Sequence, residues 1–468
     1  MAKTYDYDFI VIGSGLAGTT AAEAAKKEGM KVAVVEASTW GGSSLNDSDV
    51  PYSAMLHFSH LYSAAKNGAR FGLSSSNLRF NFPTAFNWQQ TAKERAGADN
   101  PARLISAGID CYSGHAYFIS PHEISIALSE KTETGEFAEK RLTANRFLVA
   151  TGSLPSDGGV AGIDKVRCYT PAEAMRLRRL PEAIFIVGAG PTGVELAEHF
   201  ASLGSTVLIA DLSSRILPRE DAEVAEVMTA YLSEKFGVKV LTSSRVIGVS
   251  KDGDNKRVHF VNETKEHSTA VQAVILATGA KPNTNLTLEN AEVEVLKSGG
   301  VKVDKFLTTT SRHIFAAGDV ISGHCSPERA VFEGAAVVKN FSKRTAVALP
   351  KEERFTFINT DPEIVSLGKT EDECAVSGLA FKKSFLPLSA VSAANTRDFE
   401  VGFIKLLADK QGAIIGATLI CPHASLIAPE ISLAIEKRLQ ARDLASTPHF
   451  SSTFAELVRL AARDLAVD

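Results

Sequence analysis

A glycine turn of the form Gly-x-Gly-x-x-Gly occurs twice in this chain, each time between a short apolar run and an alanine-rich stretch. The first, Gly13-Ser14-Gly15-Leu16-Ala17-Gly18, follows Phe9-Ile10-Val11-Ile12, and the second, Gly188-Ala189-Gly190-Pro191-Thr192-Gly193, follows Ile184-Phe185-Ile186-Val187. After each turn a helix is expected, to about Gly29 and about Leu203, and then a strand ending on a carboxylate, Glu36 or Asp211. A single such turn is weak evidence, but strand, turn, helix, strand and terminal acid together describe a βαβ unit that binds a dinucleotide. The glycines let the backbone approach a pyrophosphate whose charge rests on the helix N-terminus, and the acid accepts from ribose hydroxyls. Two copies imply two dinucleotide domains. A length of 468 residues agrees, being too long for one ordinary core.

Other segments mark where the chain passes between these domains. Leu148-Val149-Ala150-Thr151-Gly152 and Ile275-Leu276-Ala277-Thr278-Gly279 both read as strands ending in Ala-Thr-Gly. The run Ile314-Phe315-Ala316-Ala317-Gly318-Asp319 delivers a carboxylate at a turn, a position suited to a sugar-like hydroxyl chain. A helix is expected over about 328–341. Beyond Pro350 comes a distinct domain with strands around Val365 and over 403–407, then amphipathic helices around 429–436 and 454–462.

Bulk properties remove several function classes. A net charge of −4 offers no attraction to nucleic acid or an anionic membrane surface. No apolar run approaches the roughly 20 residues of a membrane span, and the polar N-terminus leaves no room for a signal peptide, so a cytoplasmic protein is expected. The five cysteines, Cys111, Cys168, Cys325, Cys374 and Cys421, have neither disulfide-framework nor zinc-ligand spacing. No metal site is expected.

The order of these motifs, closed by Thr360-Asp361-Pro362-Glu363-Ile364 and by Gly416-Ala417-Thr418 running to Pro422-His423-Ala424, resembles the class I pyridine nucleotide–disulfide oxidoreductases. That group contains dihydrolipoamide dehydrogenase, glutathione reductase, mercuric reductase and soluble transhydrogenase. The resemblance implies an α/β protein with two Rossmann-like domains and a C-terminal α+β dimerisation domain. The expected boundaries are 1–152 with 279–345 for FAD, 153–278 for NAD and 346–468 for dimerisation. It further implies a homodimer. Candidate cofactor-binding residues are Gly13, Gly15, Gly18, Glu36, Gly42, Ser43, Thr151, Gly152, Gly188, Gly190, Gly193, Asp211, Gly279 and Asp319. Asp211 would repel a 2′-phosphate, favouring NADH over NADPH; Arg215, four residues on, is the residue that could reverse this, and otherwise reads as a surface arginine.

The pattern breaks at its chemical centre. Where the family carries Gly-Gly-Thr-Cys-x-Asn-x-Gly-Cys-x-Pro-Ser-Lys, this chain has Gly41-Gly42-Ser43-Ser44-Leu45-Asn46-Asp47-Ser48-Asp49-Val50-Pro51-Tyr52-Ser53. Both cysteine positions are replaced, by Ser44 and Asp49. The lysine position is Ser53, while its glutamate partner is retained as Glu195. The C-terminal catalytic histidine position is Ser451. Glu456 also fits a capping box with Thr453, and His449 is a candidate substitute base or a polar surface residue. The last residues, Ala466-Val467-Asp468, lack the cysteine pair with which mercuric reductases receive metal.

Serine and carboxylate form neither a disulfide nor a thiolate adduct. Cys325, six residues after Asp319, has no evident partner. The expected activity is therefore NADH-dependent reduction of FAD, with electrons passing directly to a small acceptor such as a quinone. Glu195, Asp49 and Ser44 are the candidate catalytic residues. If Asp49 lies against the flavin, its charge opposes that of the anionic reduced flavin, so its pKa rises, the flavin potential falls, or both. NAD(P) transhydrogenation and a catalytically retired FAD/NADH binder are the alternatives.

Overall fold

Parallel strands with small residues at their crossings need helices on both faces, and this requirement organises the first part of the chain. The computed structural model describes residues 4–74, 77–131, 137–323, 326–342, 346–348 and 354–466. Strand Tyr7–Ile12 lies centrally, parallel to Val32–Glu36 on one side (Ile10 opposite Ala33) and to the end of Phe137–Val149 on the other (Ile10 opposite Phe147). The start of Asp110–Ser120 extends the sheet beyond Val32–Glu36, and Ile314–Ala316 extends it beyond Phe137–Val149. The remaining halves of the two long strands pair antiparallel with Glu123–Lys131. Helix Leu16–Lys27 presents Ala17, Ala21, Ala22 and Ala25 to the sheet, where they pack with Phe9, Val11, Val34 and Val337 of helix Pro327–Ser342.

The chain divides into two compact units. The first comprises Met1–Met55, Pro83–Ser156 and Gly279–Lys351; the second comprises Leu56–Phe82, Asp157–Thr278 and Glu352–Asp468. Two crossings, after Ser156 and after Thr278, fall beside the two Ala-Thr-Gly segments. Two features differ from the sequence expectation. Residues 56–82 group with the second unit, because helix Asp49–Asn67 crosses the boundary. The second nucleotide fold and the C-terminal domain fall within the same compact unit.

In the second unit a parallel sheet runs in the order Ala273–Leu276, Ala183–Val187, Thr206–Ala210, Lys239–Leu241. The antiparallel strands Ser244–Asp252, Asn255–Asn262 and Lys265–Val271 form a separate three-stranded sheet. The C-terminal domain is a five-stranded antiparallel sheet ordered Arg354–Ile358, Glu363–Gly368, Ile414–Cys421, Phe403–Asp409, Phe381–Pro387. Its core packs Ile404, Leu406 and Leu419 against Leu457, Val458 and Ala461 of helix Glu456–Ala466.

One polar cluster joins the two parts of this unit. Lys405 is buried on the C-terminal sheet, with its Nζ 2.8 Å from Asp221, 2.8 Å from Glu371 and 3.1 Å from Glu223. Arg354 bridges Glu220 at 3.3 Å. Buried charges persist only when paired in this way, so the nucleotide fold and the C-terminal sheet are cemented by complementary charge as well as apolar contact. The expected architecture, two Rossmann-type folds and a C-terminal dimerisation-type domain, is what the chain adopts.

Candidate functional site

The three glycines of the first turn have different neighbours. A Cβ on Gly13 would lie 2.2 Å from the Ala150 carbonyl oxygen, and one on Gly18 would lie 2.0 Å from that of Gly13. A Cβ on Gly15 would meet nothing within 4 Å. Two glycines therefore serve close packing, and the middle one borders open space at the start of helix Leu16–Lys27. At that end the amide groups and the helix dipole favour an anion. Glu36 accepts from the Ser14 amide at 2.8 Å, the Ser14 hydroxyl at 2.7 Å and the Ser38 amide at 2.9 Å. Ser14 Oγ in turn accepts from the Gly41 amide at 2.9 Å, a link between acid and loop that the motif did not reveal.

The second turn repeats the arrangement. A Cβ on Gly188 would approach the Ala277 carbonyl oxygen to 2.3 Å and one on Gly193 the Gly188 carbonyl oxygen to 2.0 Å, whereas Gly190 faces nothing within 4 Å. Asp211 accepts from the Ala189 amide at 2.7 Å and the Ser213 amide at 2.8 Å. Arg215 is committed elsewhere: its guanidinium donates to the Glu220 carbonyl at 3.0 Å and to Asp372 at 3.2 Å. Both cradles thus fit the pyrophosphate and ribose of a dinucleotide.

Further candidates lie in the first unit. Gly42 opens the short helix Gly42–Asn46, and a Cβ there would lie 2.6 Å from the Gly15 Cα, so this loop sits directly on the turn. Ser43 on the same helix is exposed. Asn46 holds the loop shape by donating to the Trp40 carbonyl at 2.9 Å and the Gly42 carbonyl at 3.0 Å. Thr151 Oγ1 donates to the Asn283 carbonyl at 2.6 Å, and Gly152 accepts from the Asn283 amide at 2.9 Å. Gly279 accepts from the Ser156 amide at 2.9 Å. Gly318 has φ 81°, which glycine alone adopts readily, and it turns Asp319 to accept from Ser153 Oγ at 2.6 Å.

Ser44 and Asp49 are hydrogen-bonded to each other, the serine hydroxyl donating to Asp49 Oδ2. Asp49 stands in the first turn of helix Asp49–Asn67 and is exposed, although neighbouring protein partly desolvates its carboxyl. That desolvation raises its carboxyl above the ordinary aspartate range. The Ser44 hydrogen bond pulls the other way, and the negative charges of Glu328 and Asp319 push it further up. Ser53 is exposed.

In the second unit, Glu195 Oε1 accepts from the Asn359 amide at 2.8 Å. One turn on, Glu198 is buried and receives the Asp361 amide on both carboxyl oxygens at 3.1 Å. His449 corrects its reading as a surface residue. Its side chain is 4% exposed, with Nε2 3.1 Å from Glu430 and Nδ1 2.9 Å from the Thr447 carbonyl. The capping box expected at Thr453 is also absent: its hydroxyl donates to the Phe450 carbonyl at 2.8 Å, while Glu456 pairs with Arg459 at 2.9 Å. Ser451 is exposed.

Cys111, Cys168, Cys374 and Cys421 are all free, and Cys325 lies outside the described residues. Burial pushes the Cys111 thiol up to about 11 and the Cys421 thiol up to about 12, away from thiolate chemistry. Among the described residues no group of three or more acidic, histidine or cysteine side chains could hold a metal. No helix among them is long and apolar enough to cross a membrane.

Known proteins agree with this geometry. The model of the family described as "Pyridine nucleotide-disulphide oxidoreductase" matches residues 7–336, and that of its dimerisation domain matches residues 355–462. A mercuric reductase of Bacillus cereus is 31% identical over 98% of this chain and 71% of its own length. A dihydrolipoyl dehydrogenase of Bacillus subtilis is 29% identical over 97% and 95%. Among solved structures, the Cu(II) complex of the HOCl-induced flavoprotein disulfide reductase RclA from Escherichia coli superposes with a TM-score of 0.86 at 23% identity, covering 98% of this chain and 99% of that one. LpdA from Mycobacterium tuberculosis gives 0.86 at 23%, covering 98% and 100%. FAD and NAD(P) are the cofactors typical of these proteins, and both cradles fit them. The chain therefore belongs to the pyridine nucleotide–disulphide oxidoreductases, as an NAD(P)H-dependent flavoprotein oxidoreductase.

Proposed function

We propose that this protein oxidises NADH and passes the electrons through FAD directly to a small non-disulfide acceptor of the quinone class. The observation that carries the reading is the hydrogen-bonded pair of Ser44 and Asp49 at the two positions where the family motif has cysteines. Neither side chain can carry electrons. The four described cysteines are unpaired.

The turn at Gly15, packed tightly by Gly13 and Gly18, receives the FAD pyrophosphate, and Glu36, already oriented by Ser14 and Ser38, accepts from the adenosine ribose. Gly42, Ser43, Thr151, Gly152, Gly279 and Asp319 shape the rest of that groove. Gly188, Gly190, Gly193 and Asp211 hold the nicotinamide dinucleotide in the same manner. NADH is preferred because Asp211 repels a 2′-phosphate and Arg215, the cation best placed in sequence to receive one, is engaged by Glu220 and Asp372. Bound FAD supplies a two-electron carrier that accepts hydride from the nicotinamide and returns the electrons to an acceptor. Glu195 holds the Asn359 amide, so its role is to position the loop leading into the C-terminal sheet. A homodimer through residues 355–462 is part of the reading. Leu426 and Phe450 there are 79% and 84% exposed, apolar surface of the kind a partner covers.

Anaerobic titration of the FAD-loaded protein with NADH tests this. Full flavin reduction by about one equivalent, without a long-wavelength thiolate–flavin band, followed by reoxidation on adding a benzoquinone, is the expected result. Uptake of about two equivalents, or appearance of that band, would reveal a thiol relay and overturn the reading.

A further inference from the structure

We propose that Asp49, oriented by Ser44, is the general acid that delivers a proton to the acceptor reduced in the FAD groove. The inference rests on the flavin-only reading above and assigns a role to the pair that reading leaves without electrons to carry.

Three observations place Asp49 for the task. The helix Gly42–Asn46, which carries Ser44, bears directly on the glycine turn through Gly42 and Gly15, and the Ser44 hydrogen bond ties Asp49 to that helix. The Ser44 hydroxyl donates to Asp49 Oδ2, fixing the carboxyl against the loop while the residue keeps accessible surface. The charged groups recorded around it, Asp319 at the start of helix Asp319–Ser322 and Glu328 in the first turn of helix Pro327–Ser342, are both negative. Enclosure and these charges favour the protonated carboxyl, against the Ser44 bond and the helix N-terminus that favour the ionised form. A general acid needs this kind of environment, since an ordinary aspartate has no proton to give near neutrality. Ser44 is a positioning residue, because a serine alkoxide is far too basic to take part itself.

The chemistry balances. A quinone that receives a hydride equivalent gains two electrons and one proton, and its second oxygen still needs a proton. The O–H bond of Asp49 breaks, an O–H bond forms on the acceptor, and the carboxylate left behind regains its proton from water. The hydride comes from NADH, so the sum is NADH, one proton and quinone giving NAD⁺ and hydroquinone.

The test compares acceptors that do and do not take protons. The FAD-loaded D49N variant is reduced with NADH, then mixed with a water-soluble benzoquinone or with ferricyanide, which accepts an electron alone. Expected are a roughly hundredfold slower reaction with the quinone, in the range general acids supply, and a ferricyanide rate within about twofold of wild type. D49E should recover part of the quinone rate. Wild-type protein should also show a protonated-carboxyl C=O band in its infrared difference spectrum on reduction, lost in D49N. Equal rates with quinone in both proteins, equal slowing with both acceptors, or absence of that band from wild type would overturn the proposal. Should D49N fail to retain FAD, the D49E variant decides the matter: its band must shift from the wild-type position, and an unshifted band would overturn the proposal. Failure of wild type to reduce any quinone would instead bring down the flavin-only reading, and this proposal with it.

Discussion

Glu195 Oε1 accepts a hydrogen bond from the Asn359 amide at 2.8 Å, joining helix Pro191–Leu203 to the loop that opens the C-terminal sheet. A hydrogen bond to a charged group is worth about 1.5–3 kcal/mol, and more is lost if the amide is left unpaired. Glu195→Ala should therefore lower the stability of the second unit by an amount of that order. Glu195→Gln, which keeps an acceptor oxygen, should cost less. Denaturant unfolding of both variants checks the ordering; equal effects would mean that the bond to Asn359 is not what Glu195 contributes.

Glu198, one turn further on, makes a prediction about pH. Burial first, and the nearby Asp361 charge second, raise its carboxyl well above the usual glutamate range, with His60 Nε2 4.0 Å away. The folded chain then holds a proton that the unfolded chain releases above about pH 4.3. Stability from this group is complete below that value and is lost as pH rises toward the folded pKa. Glu198→Gln removes the slope while keeping an acceptor for the Asp361 amide. Its melting temperature should gain on wild type progressively from about pH 4 to pH 7. A constant difference across that window would show that the buried carboxyl is not protonated.

The two kinds of glycine in the first turn should fail differently. In Gly18→Ala the new methyl would overlap the Gly13 carbonyl oxygen, so the turn itself must shift and the apoprotein should lose several kcal/mol, in the manner of overpacked cores. In Gly15→Ala the methyl meets no protein atom, so the apoprotein should melt close to wild type yet purify with little flavin. Calorimetry alongside the flavin absorbance ratio separates the cases. Normal flavin content in Gly15→Ala would show that the open space at this residue is not the pyrophosphate site.

On the reading proposed above, Asp211 sets the preference between the two nicotinamide nucleotides. Asp211→Ala removes a carboxylate held by the Ala189 and Ser213 amides. KM for NADH should rise about tenfold to a hundredfold, the range for a lost hydrogen bond to a charged group, while FAD content stays unchanged. The NADPH-to-NADH preference should move toward NADPH. An unchanged preference would mean that discrimination comes from elsewhere than residue 211.

Much of the nucleotide-binding machinery is legible from short stretches of chain, because its logic is local. A glycine turn between a strand and a helix, with an acid at the end of the next strand, is specified within about thirty residues. Glu36 and Asp211 accordingly sit where their spacing puts them, each taking an amide from its own glycine turn. Local patterns mislead where another group competes, near or far along the chain. Thr453 and Glu456 have capping-box spacing, but Glu456 is claimed by Arg459 and the threonine by the Phe450 carbonyl. His449 has the sequence context of an exposed loop, yet its side chain is enclosed, with Glu430 of helix Ala424–Glu436 at its ring.

The sequence by itself determined the two nucleotide folds and their order, and it placed Ser44 and Asp49 five residues apart after the first glycine turn, since these depend on backbone conformation and residue identity at fixed spacing. Tertiary structure alone decided the surroundings of those residues. Asp319 and Glu328 reach Asp49 from far along the chain and change the free energy of its ionisation, and Asn359 reaches Glu195 from a different domain. Electrostatic and hydrogen-bond energies depend on distance in space and on burial, and neither quantity is set by separation along the chain.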